Sequence, residues 1–537
     1  MIAVFAATAV NTVSGRITRS GTERGSVLNT PQVNFARGAG AGTVTGNAPI
    51  PSRQTAFQNT PQTSCESLSD VKTAFPDVKV PDLESYYADV IGGCKNIFSG
   101  MPEWRNVKRT GLYKSGMRKM SLLNVSKTVC DEFAKLTFSE KTEIMISDNA
   151  VQKYVDEVLR SNGFYKNMTD FLSYAYALGG GVIKCYASDG EAVLDFLHAD
   201  QFVPAEYSNR RITGGVFRSV TYDGRFYYTL FEKYSGGTAE YKLYRSGDKV
   251  SIGTECSLGE LYENMPPSVN YGSDVPMFAY FRPAVTNNIS GNVLGLSVFA
   301  NSVDTLRSLD IAFDSFSREF VLGKKRIIVP SSCIRTVVDP DTAAVKRYFD
   351  ADDEVYQALS CDEDRDLKIT DNTMSIRVSE HVDSINALLN ILCFQVGLSA
   401  GHLSFDGSQG LKTATEIISE NSKTFRTAKD HKNQLEEFLI DMVYAISAVG
   451  NYLGQCPMLS EDAEVSVSFA DSIIEDDNTI IDNNIKLVQA GLKSKLSAVM
   501  EIMKCDEDTA RKELELIDEE NSAVVDDEAF DPSEPEG

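Results

Sequence analysis

An α+β fold is predicted for this chain by three observations. Between residues 181 and 246, short strand-like runs are punctuated by Gly, Asn and Asp turns. On either side of them apolar residues return every three or four positions, as they do on one face of a helix. With 42% hydrophobic and 24% charged residues the composition is that of a globular protein, and at about 100–200 residues per domain the 537 residues suggest about three to five folding units.

Residues 1–64 are rich in Thr, Ser, Gly, Asn and Ala. They carry Arg16, Arg19, Arg24, Arg37 and Arg53, with no lysine and Glu23 as the only acid. Such a segment buries little, so a disordered basic arm is expected, either a plain tail or a contact for an acidic neighbour or nucleic acid. Its opening, MIAVFAATAVNTV, follows no positive region, and nowhere do about 18 apolar residues run together. Neither a signal peptide nor a membrane span is expected.

Leu122, Val125, Val129, Phe133 and Leu136 predict an amphipathic helix over 116–137, and two more are read over 149–162 and 166–178. Gly179-Gly180-Gly181 stops the last of these before the strand VIKCYA. AVLDFL, GGVFRSVTYDGRFYYTLFEKY and AEYKLYRS read as further strands, with Asp223-Gly224 forming a type I′ hairpin turn. A long helix over 297–322 sets Phe299, Val303, Leu306, Phe313, Phe316 and Phe320 on one stripe and Asp304, Arg307, Asp314 and Arg318 opposite. Gly323 ends it, and Lys324-Lys325-Arg326 leads into the strand RIIVP. An acid-rich stretch over 350–371 precedes a second helix near 379–397, carrying Ile385, Leu388, Leu389, Leu392 and Val396. A Gly-rich loop, 398–413, opens a very long helix from Thr413 to Val449, roughly 55 Å at about 1.5 Å per residue. EVSVSFA then reads as a strand, two or three short helices lie between 479 and 517, and an acidic tail closes the chain.

The balance of 52 basic against 76 acidic residues, a net charge of −24, is the reverse of a DNA-coating protein. Cys65, Cys94, Cys130, Cys185, Cys256, Cys333, Cys361, Cys393, Cys456 and Cys505 contain no CxxC pair, so neither a disulfide framework nor a zinc module is expected and a reducing compartment is. The four histidines, His198, His381, His402 and His431, have no metal-ligand spacing, and His431 is read as a surface or packing residue. Gly407-Ser408-Gln409-Gly410-Leu411-Lys412-Thr413 resembles a phosphate loop but places a leucine between the last glycine and the lysine. A loop feeding a helix is the favoured reading. Asp362 and Asp364 could serve a magnesium-dependent nuclease, yet polar loop-like flanks favour a solvated or partner-binding surface.

Five strings together carry a family resemblance: MSLLNVSKTVCDEFAKLTFSE (120–140), ALGGGVIKCY (177–186), FRPAVTNNISGNVLGLSVFANSVDTLRSLDIAFDSFSREF (281–320), LSAGHLSFDGSQGLKTATEIISENSKTFRTAKDHKNQLE (398–436) and VSFADSIIEDD with VQAGLKSKLSAVM (467–500). The chain resembles the portal proteins of tailed double-stranded DNA bacteriophages, of the siphophage portal or minor capsid type. Residues 1–66 match nothing in that family.

The resemblance implies a ring of about twelve subunits around a channel at one capsid vertex of the virion, assembled in the host cytoplasm. It implies the wing over 67–296, stem helices over 297–322 and 380–397 with the clip, 323–379, between them, and the tunnel loop over 398–412. The long wing helix would cover 413–456, the crown 457–520 and an acidic disordered tail 521–537. DNA in transit, the terminase motor, major capsid and scaffold proteins, and head-completion or tail proteins are the implied partners. No cofactor, metal, membrane or enzymatic activity is implied, since the motor hydrolyses the ATP. Candidate channel or DNA-facing residues are Lys324, Lys325, Arg326, His402, Ser404, Asp406, Gln409 and Lys412. Candidate docking residues are Asp350, Asp352, Asp353, Glu354, Asp362, Glu363 and Asp364. The alternatives are a magnesium-dependent nuclease or NTPase, using Asp362, Asp364 and 407–413, and a capsid protein without a channel.

Overall fold

The computed structural model describes residues 67–78, 83–110, 115–323, 327–328, 335–338, 345–348, 370–371, 375–405, 414–460, 463–469, 477–503, 507 and 509–517. The first helices, α1 (Ser67–Ala74), α2 (Gly92–Phe98) and the single turn α3 (Pro102–Arg105), lead into an antiparallel hairpin of β1 (Asn106–Thr110) and β2 (Ser115–Lys119). Next come α4 (Val125–Thr137), β3 (Glu143–Ile146), α5 (Asn149–Ser161) and α6 (Phe164–Leu178). Asp148 starts α5 by accepting from the Ala150 and Val151 N–H groups. Gly179 ends α6 at φ +83°, where a Cβ would stand 2.6 Å from the Gly295 carbonyl oxygen, so both angle and space demand glycine.

Two antiparallel sheets follow. β4 (Gly181–Ser188) and β5 (Glu191–His198) form a three-stranded sheet with β12 (Phe278–Phe281), in the order β12-β4-β5. The larger sheet comprises β6 (Phe202–Ser208), β7 (Arg211–Tyr222), β8 (Tyr227–Ser235), β9 (Thr238–Ser246) and β10 (Thr254–Cys256), in the order β10-β9-β8-β7-β6, with β11 (Ser268–Asn270) also on β9. The two meet through charge as well as apolar packing, because the buried Lys184 of β4 reaches Glu232 of β8 at 2.7 Å and Asp195 of β5 at 3.7 Å. Burial works against the ammonium, but the two carboxylates outweigh it and keep it protonated.

α7 (Val303–Leu322) and α8 (Val378–Val396) pack on each other, and the strand pieces β13 (Ile327–Ile328), β14 (Arg335–Val338), β15 (Val345–Tyr348) and β16 (Thr370–Asp371) lie between them in sequence. β13 pairs with β16 and β14 with β15. α9 (Ala414–Tyr452) is 39 residues, about 58 Å, and its second half lies against β12, β4, α4 and α5. There Phe438 stacks on Phe171 with ring centroids 5.8 Å apart and meets Phe281 edge-on. β17 (Val465–Ser468) pairs with β3, and α10 (Asp477–Gln489), α11 (Lys495–Met503) and a helical stretch over 509–517 follow.

The mixed helix-and-sheet class is as expected, and so are the helices at 149–162, 166–178, 380–397 and 413–449, while that expected over 297–322 begins at Val303 after a 3-10 turn over Ala300–Ser302. Three readings are corrected. The helix expected over 116–137 begins only at Val125, because 115–119 pairs with β1 and Asn124 sits in the left-handed region at φ 55°. Asp223-Gly224 does not make a two-residue turn. Tyr222 pairs with Tyr227, and the Asp223 carboxylate accepts from the Arg225 and Phe226 N–H groups across a four-residue loop. On α7 the packed residues are Leu306, Leu309, Asp310 and Asp314, so Asp314 faces inward, whereas Phe320 is 46% exposed. The arm 1–66, the acidic run 350–369 and the tail from 518 onward lie outside the described residues.

Candidate functional site

The best-defined constellation is the foot of the α7–α8 pair. Asp310 and Asp314 are one turn apart on α7, and both are nearly buried. Asp310 accepts from the Trp104 indole N–H at 2.8 Å and the Leu123 backbone N–H at 3.0 Å. Asp314 takes both arms of the Arg118 guanidinium, at 2.7 and 2.6 Å, and the Ser121 N–H at 3.0 Å. Arg307 lies over the Trp104 ring, 5.0 Å from its centroid, and donates to the Trp104 carbonyl. The β1–β2 hairpin and α3 therefore clasp α7 from the side. At the far end of the pair, Glu319 of α7 binds the Arg377 guanidinium at 3.2 Å through both oxygens, with His381 of α8 at 3.7 Å. The Arg118–Asp314 pair near the middle of α7 and the Arg377–Glu319 pair toward its C-terminal end thus fix its direction.

The loop after α8 is pinned on two sides. Gly397, at φ +88°, ends the helix, and its carbonyl accepts from Thr427 of α9 at 2.8 Å. Ser399 and Thr424 exchange bonds, Ser399 N–H to Thr424 Oγ1 at 2.8 Å and Thr424 N–H to Ser399 Oγ at 3.2 Å. Asn390 and Asn386 of α8 accept from the Gly401 and Phe405 N–H groups, both at 2.8 Å. His402 Nε2 lies 3.0 Å from Glu132 of α4, and that contact holds the Glu132 carboxyl below its usual range.

Both helices of the pair leave apolar side chains exposed. Ile311, Phe320, Val321 and Leu322 of α7 are exposed, as are Ile391 and Phe394 of α8, Phe394 by 75%. Helices that expose aromatic and branched residues over this length present a surface suited to another protein face.

Of the residues singled out in the sequence, His402 and Ser404 are placed here, His402 against Glu132 and Ser404 exposed in the same loop. Lys324, Lys325, Arg326, Asp406, Gln409 and Lys412 lie outside the described residues, as do Asp350, Asp352, Asp353, Glu354, Asp362, Glu363 and Asp364, and Gly407–Thr413 with them. His431 is a packing residue, buried between Phe133 and Tyr176, with its Nδ1 accepting from the Ala284 N–H at 3.0 Å. Sequence reading missed the clasp of Trp104 and Arg118 and the basic hairpin that carries it. The signal was present, for Arg105, Lys108, Arg109, Lys114, Arg118 and Lys119 occur with no acid between 104 and 120.

Among the described residues, no group of three or more His, Cys, Asp or Glu is placed to hold a metal ion, and no helix is long and apolar enough to cross a membrane. The charged and polar groups of this constellation engage one another and backbone N–H groups, which orients the helices. Residues 114–526 match the family described as phage portal protein, SPP1 Gp6-like. The chain belongs to this family of structural proteins. No curated protein matches it. Two solved structures are similar at 10% identity over 70% of this chain and 88% of theirs: the virion of a native gene transfer agent particle, TM-score 0.37, and the neck of that particle computed with C12 symmetry, TM-score 0.34.

Proposed function

We propose that this chain is the subunit of a ring-shaped channel at a capsid vertex, through which double-stranded DNA is packaged and later leaves. The observation that carries this reading, beside family membership, is the set of apolar side chains that α7 and α8 leave exposed. In one chain those residues face water. In a closed ring exposed apolar side chains are covered by neighbouring subunits, and a heterologous contact that closes needs no free edge. A ring of about twelve follows the family pattern.

In this reading α7 and α8 are the stem, 323–379 the clip, 398–412 the tunnel loop and 457–520 the crown. The net charge of −24 suits a conduit, because an acidic wall repels the duplex evenly where a basic wall would hold it. Lys324, Lys325, Arg326 and Lys412 then serve as isolated contacts that keep DNA on axis. Asp350, Asp352, Asp353, Glu354, Asp362, Glu363 and Asp364 form the docking surface for the terminase motor and then for head-completion or tail proteins, and major capsid and scaffold proteins surround the ring. Electron microscopy of the purified full-length protein, averaged end on, tests the reading. Closed rings with a hole wide enough for duplex DNA are expected, and solid globular particles would overturn it.

A further inference from the structure

The β1–β2 hairpin concentrates positive charge in a strongly acidic chain. Six cations and no acid fall between Arg105 and Lys119, and the register divides by face the four that lie in the strands. Val107 pairs with Arg118, and that face is turned toward α7, where Arg118 is engaged by Asp314. Asn106 pairs with Lys119 and Lys108 with Met117, so Lys108 and Lys119 share the opposite face. Both lysines are exposed, Met117 is 66% exposed, and neither lysine meets a carboxylate among the described residues.

The hairpin is also held firmly. The Arg118–Asp314 pair and the Ser121 N–H bond lie at the end of β2, and the Trp104–Asp310 bond lies just before β1. Lys108 and Lys119 are diagonal cross-strand neighbours, about 7–8 Å apart at the backbone. We propose that this outer face is a sequence-independent contact for the phosphate backbone of double-stranded DNA, on a surface beside the helix pair. A duplex offers one negative charge per about 1.7 Å of axis, so a fixed pair of cations finds phosphates at any register. A two-stranded ribbon carrying Lys, Asn and Ser, and no carboxylate, suits phosphate better than protein, since lysine is depleted from the cores of protein interfaces. The proposal does not depend on ring closure.

The test is fluorescence anisotropy of a short mixed-sequence DNA duplex titrated with the full-length protein, over about 50 to 200 mM KCl. Lys108→Gln with Lys119→Gln should weaken binding on the order of tenfold per lysine at the low-salt end and reduce the salt slope by about 2. Lys108→Arg with Lys119→Arg should retain both affinity and slope. The exposed Lys153 and Lys166, on α5 and α6, provide a control of equal charge, and Lys153→Gln with Lys166→Gln should change neither quantity. Equal loss in both glutamine pairs would overturn the proposal by showing a diffuse field effect. So would unchanged DNA binding in K108Q/K119Q, and if its sedimentation shifted as well, the face would be a contact between protein chains. Because the readout is DNA affinity and not particle shape, failure here leaves the channel reading intact, and failure of ring formation leaves this assignment standing.

Discussion

Asp310 and Asp314 stand one helical turn apart on α7, yet their surroundings push their acidities in opposite directions. Burial raises the Asp310 carboxyl, against the pull of its Trp104 and Leu123 hydrogen bonds. The Arg118 guanidinium holds Asp314 below the usual carboxylate range, with the Ser121 N–H adding to it. The first is tolerated as a charge; the second is used as one.

That asymmetry ranks two substitutions. Asp314→Asn removes a charge-assisted, two-armed contact and should cost about 1.5–3 kcal/mol. Asp310→Asn removes a charge that burial already opposes and should cost less at neutral pH. The linkage signs differ too. Asp314 contributes stability above its unfolded pKa, and this is lost as pH falls through its depressed folded value. Asp310 carries a raised value, so its contribution declines as pH rises from the unfolded value through the folded one. Urea midpoints of the two variants against pH check this, and a larger neutral-pH loss in Asp310→Asn would contradict it.

His431 predicts an acid limb of its own. Burial lowers its pKa from 6.5 to about 4, and the folded protein keeps the ring neutral so that Nδ1 can accept from Ala284. Below about 6.5 the unfolded chain gains a proton that the folded chain refuses, so stability should fall between about pH 6.5 and 4 and level off below. His431→Leu should lower stability at neutral pH by about 1–3 kcal/mol, because the Ala284 N–H loses its acceptor, while flattening that limb. Thermal melts from pH 4 to 7.5 give both readings in one series, and an unflattened limb in the variant would assign the acid sensitivity elsewhere.

The long helices were legible because their apolar period runs unbroken for many turns, as from Ala428 through Leu435 and Phe438 to Val449. The period also misled. Leu122 and Val125 keep helical spacing with Val129 and Phe133, but Ser115–Lys119 is a strand whose partner lies in the preceding basic segment, and basic strands lack the apolar alternation that marks an edge. Asp314 was placed outward because charge usually is, and its partner Arg118 is 196 residues away in the chain. His402 was legible as a loop residue, but Glu132 as its partner was not, since that contact spans 270 residues.

The exposed apolar residues near the end of α8 give a prediction about assembly. Ile391→Ser with Phe394→Ser removes two exposed apolar side chains, and covering a Phe side chain at an interface is worth about 2 kcal/mol. Repeated at every interface of a ring, that loss should shift the purified protein toward monomers in sedimentation velocity. Surface substitutions of this kind usually move folding stability by no more than about 0.5 kcal/mol, so the monomer should keep its thermal transition. Intact rings of unchanged stability would mean that Ile391 and Phe394 face solvent in the assembly too.

The pinned loop after α8 gives the last. Its start is fixed to α8 by Asn390 and Asn386, to α9 by Thr424 and Thr427, and to α4 by the His402–Glu132 contact. The first two anchors use backbone groups, whereas the third is a partly exposed side-chain contact to a carboxylate, worth about 0.5–1.5 kcal/mol. Glu132→Gln should therefore leave global stability almost unchanged while loosening the loop locally. Amide exchange of residues 401–405 should quicken in the variant, and that of Gly397 and Ser399 should not. If exchange over 401–405 ignores the substitution, Asn390 and Asn386 hold the loop there, and His402 is not the residue that ties its position to α4.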